Sequence, residues 1–189
     1  MASKPRIMTD GRDMIWSLIP LLILCAVVAI ASGNCSVGLK GDASDDRVPA
    51  FDVTTALATD AQTMDFPVRR PPTPEGWKPN SGSTQMVGDA RSSNVGWVSA
   101  NGSYVQLTQT NGTEEALVAH LGDEMSLGDG QREAGGKTWV VYKNEDGKQF
   151  WITDLGDVRI AVLSKGSDAD IETIAASTVQ QEPLPTRPA

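Results

Sequence analysis

The chain has 189 residues, a formal net charge of −8, one histidine and two cysteines. Its acidic balance repels phosphate backbones and anionic headgroups, which argues against nucleic acid as a partner. Both cysteines, Cys25 and Cys35, lie near the N-terminus, so residues 36–189 hold neither an internal disulfide nor a cysteine metal site.

Residues 1–13 carry Lys4, Arg6 and Arg12 against Asp10 and Asp13, a net +1 that favours keeping this end in the cytoplasm. Met14–Ser32, MIWSLIPLLILCAVVAIAS, holds 19 residues without a charge. As a helix it would reach roughly 28 Å, about one hydrocarbon core, so residues 14–32 are expected to be a transmembrane signal anchor. Pro20 is tolerated in a membrane helix, and Trp16 suits the inner interface. Two other readings compete. Ala29-Ile30-Ala31 could be the cleavage site of a secretory signal, but the apolar run is long and the leader carries two aspartates. Cys35 could be acylated in a lipoprotein, but Asn34 before it departs from the small residue that such a site requires.

Residues 34–189 carry 13 basic and 22 acidic side chains, scattered as a solvated surface. Residues 33–50 lack apolar periodicity and are expected to form a flexible linker that leads to one extracytoplasmic domain, 51–180. Residues 181–189, with their prolines, are expected to be a disordered tail. Cys35, beside the membrane, could link two chains.

Within the domain, Asp52 can cap a helix with Val53, Ala56, Leu57 and Met64 on one face. Phe66–Trp77 holds Pro71, Pro72 and Pro74, which forbid a helix and predict an extended run along an edge or over a sheet end. Val95–Ala100 and Ser103–Thr110 flank Asn101-Gly102 and predict a hairpin with a two-residue turn. That turn would set Val98 across from Val105 and Gly96 across from Leu107. Trp97 would then share a face with Val95 and Tyr104.

Thr113 caps a short helix, Glu114–Leu121, with Leu117, Val118 and Leu121 inward and Gly122 ending it. Three strands come next, at Lys137–Lys143, Lys148–Asp154 and Asp157–Ser164; in the last, alternation predicts a half-buried strand. Ser167 with Asp170 approximates a capping box for a final helix with Ile171, Ile174, Ala175 and Val179 as its stripe. The fold class is α+β: one transmembrane helix, then an antiparallel sheet of about five strands with helices packed mainly on one face.

The anchor, the Phe-Pro-Val-Arg…Pro-x-x-Pro-x-Gly-Trp-x-x-Asn-Ser segment (Phe66–Ser81) and the Gly-Trp…Leu-Thr-Gln hairpin (Gly96–Gln109) together resemble a family. Gly136–Tyr142 and Ile171–Ser177 fit it too. It is the actinobacterial family of single-pass membrane proteins with domain of unknown function 4245. More loosely, Pro74–Trp77, Leu107–Gln109 and Ile174–Ser177 are similar to small sheet modules outside bacterial membranes, some at the C-termini of envelope-stress regulators. Neither resemblance implies an activity, a cofactor or a catalytic residue.

His120 has no Gly-x-Ser-x-Gly or second histidine around which a triad or metal site could form, and it suits a helix C-terminus. Asp168, Asp170 and Glu172 lack the loop glycine and distant glutamate of a calcium loop and fit a helix dipole instead. Glu75, Glu114 and Glu115 carry no readable separation as an acid–base pair. No glycine-rich phosphate loop succeeds a strand.

Trp77, Trp97, Trp139 and Trp151 fall on or beside strands and are the candidate ligand-binding residues. They suit core packing, or an aromatic groove for an apolar, glycan or peptide ligand if two indoles lie exposed side by side. The leading expectation is a non-catalytic cell-envelope interaction module on the plasma membrane, with the bilayer and an envelope protein as partners and no cofactor. The aromatic groove is the alternative, and an envelope hydrolase comes third.

Overall fold

A computed structural model describes residues 18–25, 51–122, 126–144 and 148–186. Residues 18–25 are helical and exposed. Among the described residues no helix is long and apolar enough to cross a membrane. Most of the apolar run and the whole linker, including Cys35 and Ala29–Ala31, lie outside the described residues.

The domain contains α1 (Val53–Thr63), β1 (Lys78–Val87), β2 (Ala90–Val98), β3 (Tyr104–Thr110), α2 (Glu114–Leu121), β4 (Leu127–Ala134), β5 (Lys137–Lys143), β6 (Gln149–Asp154), β7 (Arg159–Ser164) and α3 (Asp168–Val179). Its strands form one antiparallel sheet in the order β1-β2-β3-β7-β6-β5-β4. The α+β class holds, with seven strands in place of about five. The two unexpected strands, β1 and β4, are the sheet edges. Almost all their side chains are exposed or half-exposed, so they carry no apolar alternation.

Local capping chemistry sets the helix starts. Asp52 Oδ1 accepts from the N–H groups of Thr54 and Thr55 at 3.0 and 3.1 Å. Thr113 accepts from Ala116 N–H at 3.2 Å, and Ser167 from Asp170 N–H at 3.3 Å. Each satisfies a donor that the first helical turn leaves open.

Both sheet faces are covered, unequally. On the first face, Trp97, Val105, Leu107, Ile160, Val162 and Trp151 pack with Val53 and Leu57 of α1 and Ile171 and Ile174 of α3 in one core. On the second, Phe150, Ile152, Ala161 and Leu163 pack against Leu117 and Leu121 of the short α2. β7 is therefore buried on both sides: Ile160 and Val162 face one core, Ala161 and Leu163 the other. The half-buried strand expected there is corrected by its central place in the sheet.

The hairpin register is also corrected. Ser99 pairs with Ser103, and the Ser99 carbonyl accepts from Gly102 N–H at 2.9 Å, so the loop has three residues and Gly102 sits at φ +80°. A three-residue loop of this kind needs its last residue in the left-handed region, which glycine supplies. Trp97 consequently faces Val105, and Gly96 faces Gln106. A slip of one residue exchanges the faces of a strand. Tyr104 thus lies on the side opposite Trp97, not beside it.

The proline-rich run crosses the first face of the sheet. Phe66 and Val68 are buried in the main core, and Gln109 of β3 hydrogen-bonds the Arg69 backbone. Residues 181–186 return over this run. Arg69 and Pro183 form an isolated bridge, Leu184 N–H donates to the Val68 carbonyl at 2.8 Å, and Gln62 Nε2 donates to the Pro185 carbonyl at 2.7 Å. Leu184 packs against the core, so these six residues are part of the domain, in place of the disordered tail expected over 181–189; residues 187–189 lie outside the described ones.

Candidate functional site

The indoles are structural. Trp97, Trp139 and Trp151 are buried in the same core, and Trp77 is half-buried at its margin. Trp97 Nε1 donates to Thr73 Oγ1 at 3.3 Å, tying β2 to the proline-rich crossing, and Trp139 Nε1 donates to the Ala134 carbonyl at 3.1 Å. No two of the four lie exposed side by side. The groove expected from Trp77, Trp97, Trp139 and Trp151 is not formed, because strand alternation turns the three strand indoles toward the face that α1 and α3 cover.

The titratable side chains of the described residues hold separate structural contacts. His120 Nε2 lies 2.9 Å from Gln85 Oε1, joining α2 to β1. Burial, with the Lys148 cation nearby, holds its pKa below the ordinary histidine value and favours the neutral ring. Tyr142 stacks on Phe150 with ring centroids 5.4 Å apart and donates to Glu114 Oε1 at 2.7 Å. Burial and that carboxylate push its pKa up to about 12. Asp170 is buried in the first turn of α3, whereas Asp168 and Glu172 are exposed. Among the described residues no group of three or more His, Cys, Asp or Glu side chains could hold a metal ion.

A polar row that sequence reasoning missed runs over the β1–β3 half of the second face. Thr108 Oγ1 donates to Asn94 Oδ1 at 2.8 Å, Asn94 Nδ2 donates to Ser92 Oγ at 2.9 Å, and Gln106 Nε2 donates to Thr108 Oγ1 at 3.1 Å. The Tyr104 hydroxyl reaches Gln106 Oε1 and Ser81 Oγ, each at 3.2 Å. These groups largely satisfy one another, so the row reads as a structural network.

The two edges of the sheet are built differently. β4 carries Asp129, Arg132 and Glu133, a register irregularity between Gly128 and Gln131, and a 2.7 Å ion pair from Asp129 to Lys143. Charges and bulges of this kind discourage a further strand. β1 has no charge from Pro79 to Val87, although charged residues make up 21% of the chain. Its one irregularity, between Pro79 and Ser81, lies at its start, and Gly82–Val87 runs regularly against β2.

Beside this edge, Phe51, Ala56, Thr59, Asp60, Gly82 and Thr84 line a hollow of about 260 Å³, whose rim Ser83 and Asn94 complete. The Phe51 ring lies on Gly82, where a side chain would collide with it. Met86, on the same strand, is 56% exposed. The sequence signal for this surface was the uncharged run from Pro79 to Gly88, legible only as the absence of charge. Two further open hollows, of about 610 and 330 Å³, lie at the β1–β2 turn and beside Arg70-Pro71-Pro72.

A family model described as protein of unknown function (DUF4245) matches residues 6–178. No curated protein and no solved structure matches the chain.

Proposed function

The chain belongs to this family of proteins of unknown function, and on that premise we propose that it is a single-pass membrane protein of the actinobacterial cell envelope that presents a non-catalytic interaction module outside the cytoplasm. The edge of β1, uncharged from Pro79 to Val87 and without a further strand among the described residues, carries this reading. It is a long strand whose outer row of backbone donors and acceptors pairs with no other strand among the described residues, and such a row is the means by which a sheet takes up another chain. The 19-residue uncharged run supports the tether, and the acidic domain beyond it supports an exposed, soluble surface.

Two measurements test it. Reporter fusions at residue 13 and after residue 186 read topology; the expected result is activity of an extracytoplasmic reporter only at the second site. Crosslinking in intact cells then compares the full chain with residues 51–189 carried on an unrelated anchor. Capture of the same envelope proteins by both assigns recognition to the domain; capture that depends on the native helix alone overturns it.

A further inference from the structure

The edge of β1, which no other strand covers among the described residues, is complementary to itself. The Gly88-Asp89 turn pairs Val87 with Ala90, and the alternation of an antiparallel ladder then directs the backbone groups of Gly82, Thr84 and Met86 away from β2. These three residues also share the α1 side of the sheet. They pair with Val95, Ser93 and Arg91; Ser93 Oγ donates to Asp60 of α1 at 2.5 Å, and Arg91 Nη1 donates to the Thr63 carbonyl at 3.1 Å. The edge thus presents a protruding methionine and, four residues earlier, a glycine that floors the hollow beside Phe51.

We propose that β1 pairs with β1 of a second copy of this chain, antiparallel about a twofold axis at Thr84. In that register residue 86 of one strand stands opposite residue 82 of the other, so each Met86 enters the other copy's hollow against Phe51. A thioether on an aromatic ring is a favourable contact, and a flexible methionine adapts to an irregular hollow. On the other face Ser83 meets Gln85, a hydroxyl opposite an amide. The contact is isologous and closes on itself, so it ends at a dimer.

Register and shape select the occupant, and the uncharged strand tolerates it. Two chains of net charge −8 repel over most of their surfaces, and Pro79–Val87 is a stretch where they meet without like charges opposed. The pairing is bounded by the Pro79–Ser81 irregularity at one end and the Gly88-Asp89 turn at the other. Five residues per strand, Gly82–Met86, make a small interface of the weak, transient class, which confinement to one membrane strengthens by raising effective concentration. The proposal rests on the interaction-module reading and names its partner.

The test uses the full chain in membranes, with Cys25→Ser and Cys35→Ser to remove the native thiols. Thr84→Cys is expected to give a dimer with a short bismaleimide crosslinker, and Gln131→Cys on the β4 edge is expected to give none. Met86→Glu places a second carboxylate in the hollow beside Asp60 and should lower the crosslinked fraction about tenfold. Met86→Pro removes an outward N–H without breaking the β1–β2 ladder and should do the same, with circular dichroism reporting whether the fold survives. An absence of Thr84→Cys dimer, or a dimer indifferent to Met86→Glu, overturns the proposal. If Thr84→Cys crosslinks only to a different protein, self-pairing fails and the interaction module stands. If it crosslinks to nothing and crosslinking in intact cells captures nothing, both fail.

Discussion

The side-chain amide of Gln109 closes both backbone polar groups of Arg69: its Nε2 donates to the Arg69 carbonyl and its Oε1 accepts from the Arg69 N–H, each at 2.8 Å. A fully buried glutamine thereby acts as one rung of a ladder for a segment that crosses the sheet and cannot join it. The three prolines just beyond Arg69 have no N–H to offer, which leaves this rung as an anchor of the crossing.

Replacing this amide should therefore cost more than the loss of one ordinary hydrogen bond. Gln109→Leu keeps the bulk and strands a donor and an acceptor in a largely dry place, so a loss of about 2 kcal/mol is expected. Urea unfolding with an unchanged m-value checks it. A variant as stable as the parent would show that water replaces the amide.

Gly96 lies beneath Tyr104. A methyl group added there would stand 2.5 Å from the Tyr104 hydroxyl and 2.6 Å from Ser81 Oγ, well inside contact distance. Gly96→Ala should destabilise the domain by about 1–3 kcal/mol through overpacking. Tyr104→Ala in the same chain should recover part of that loss, and a double-mutant cycle measures the coupling. Strict additivity would place the strain elsewhere.

Tyr142 links stability to pH at the alkaline end. Its folded pKa, about 12, lies above the ordinary tyrosine value of 10.0, so the neutral phenol is favoured by folding. The stabilisation is present in full below the unfolded value and is lost as pH rises through the folded one. The unfolding midpoint should thus fall between pH 10 and 12, and Tyr142→Phe should flatten that part of the profile. An unchanged slope in the variant would assign the alkaline loss to other groups.

The C-terminal return is held by the Leu184–Val68 and Gln62–Pro185 hydrogen bonds and by the apolar contact of Leu184. A chain ending at Gln180 should lose about 1–2 kcal/mol. Thermal unfolding of the two lengths in parallel gives the answer, and equal midpoints would make residues 181–186 a passive extension.

Much of the fold was legible where the controlling chemistry is local. The caps at Asp52, Thr113 and Ser167 each act within three residues of themselves, and all three helices begin where those side chains place them. β5, β6 and β7 were readable from dense β-branched and aromatic runs bounded by turns. β1 and β4 were not, because an edge strand buries little and needs no pattern of its own. The candidate surface was hidden for the same reason: its signal is a lack of charge over Pro79–Gly88.

The sequence by itself determined the uncharged N-terminal run, the acidic domain, the α+β class and where most elements start, since each depends on residues close together in the chain. The tertiary structure decided which face each strand shows. One extra residue in the Ala100–Gly102 loop moved Tyr104 away from Trp97, and the two helices over the first face turned three indoles from candidate ligand contacts into core. It also decided that β1 ends the sheet with Met86 exposed and a hollow four residues away. Burial and edge position depend on what distant segments cover, and no local pattern carries that information.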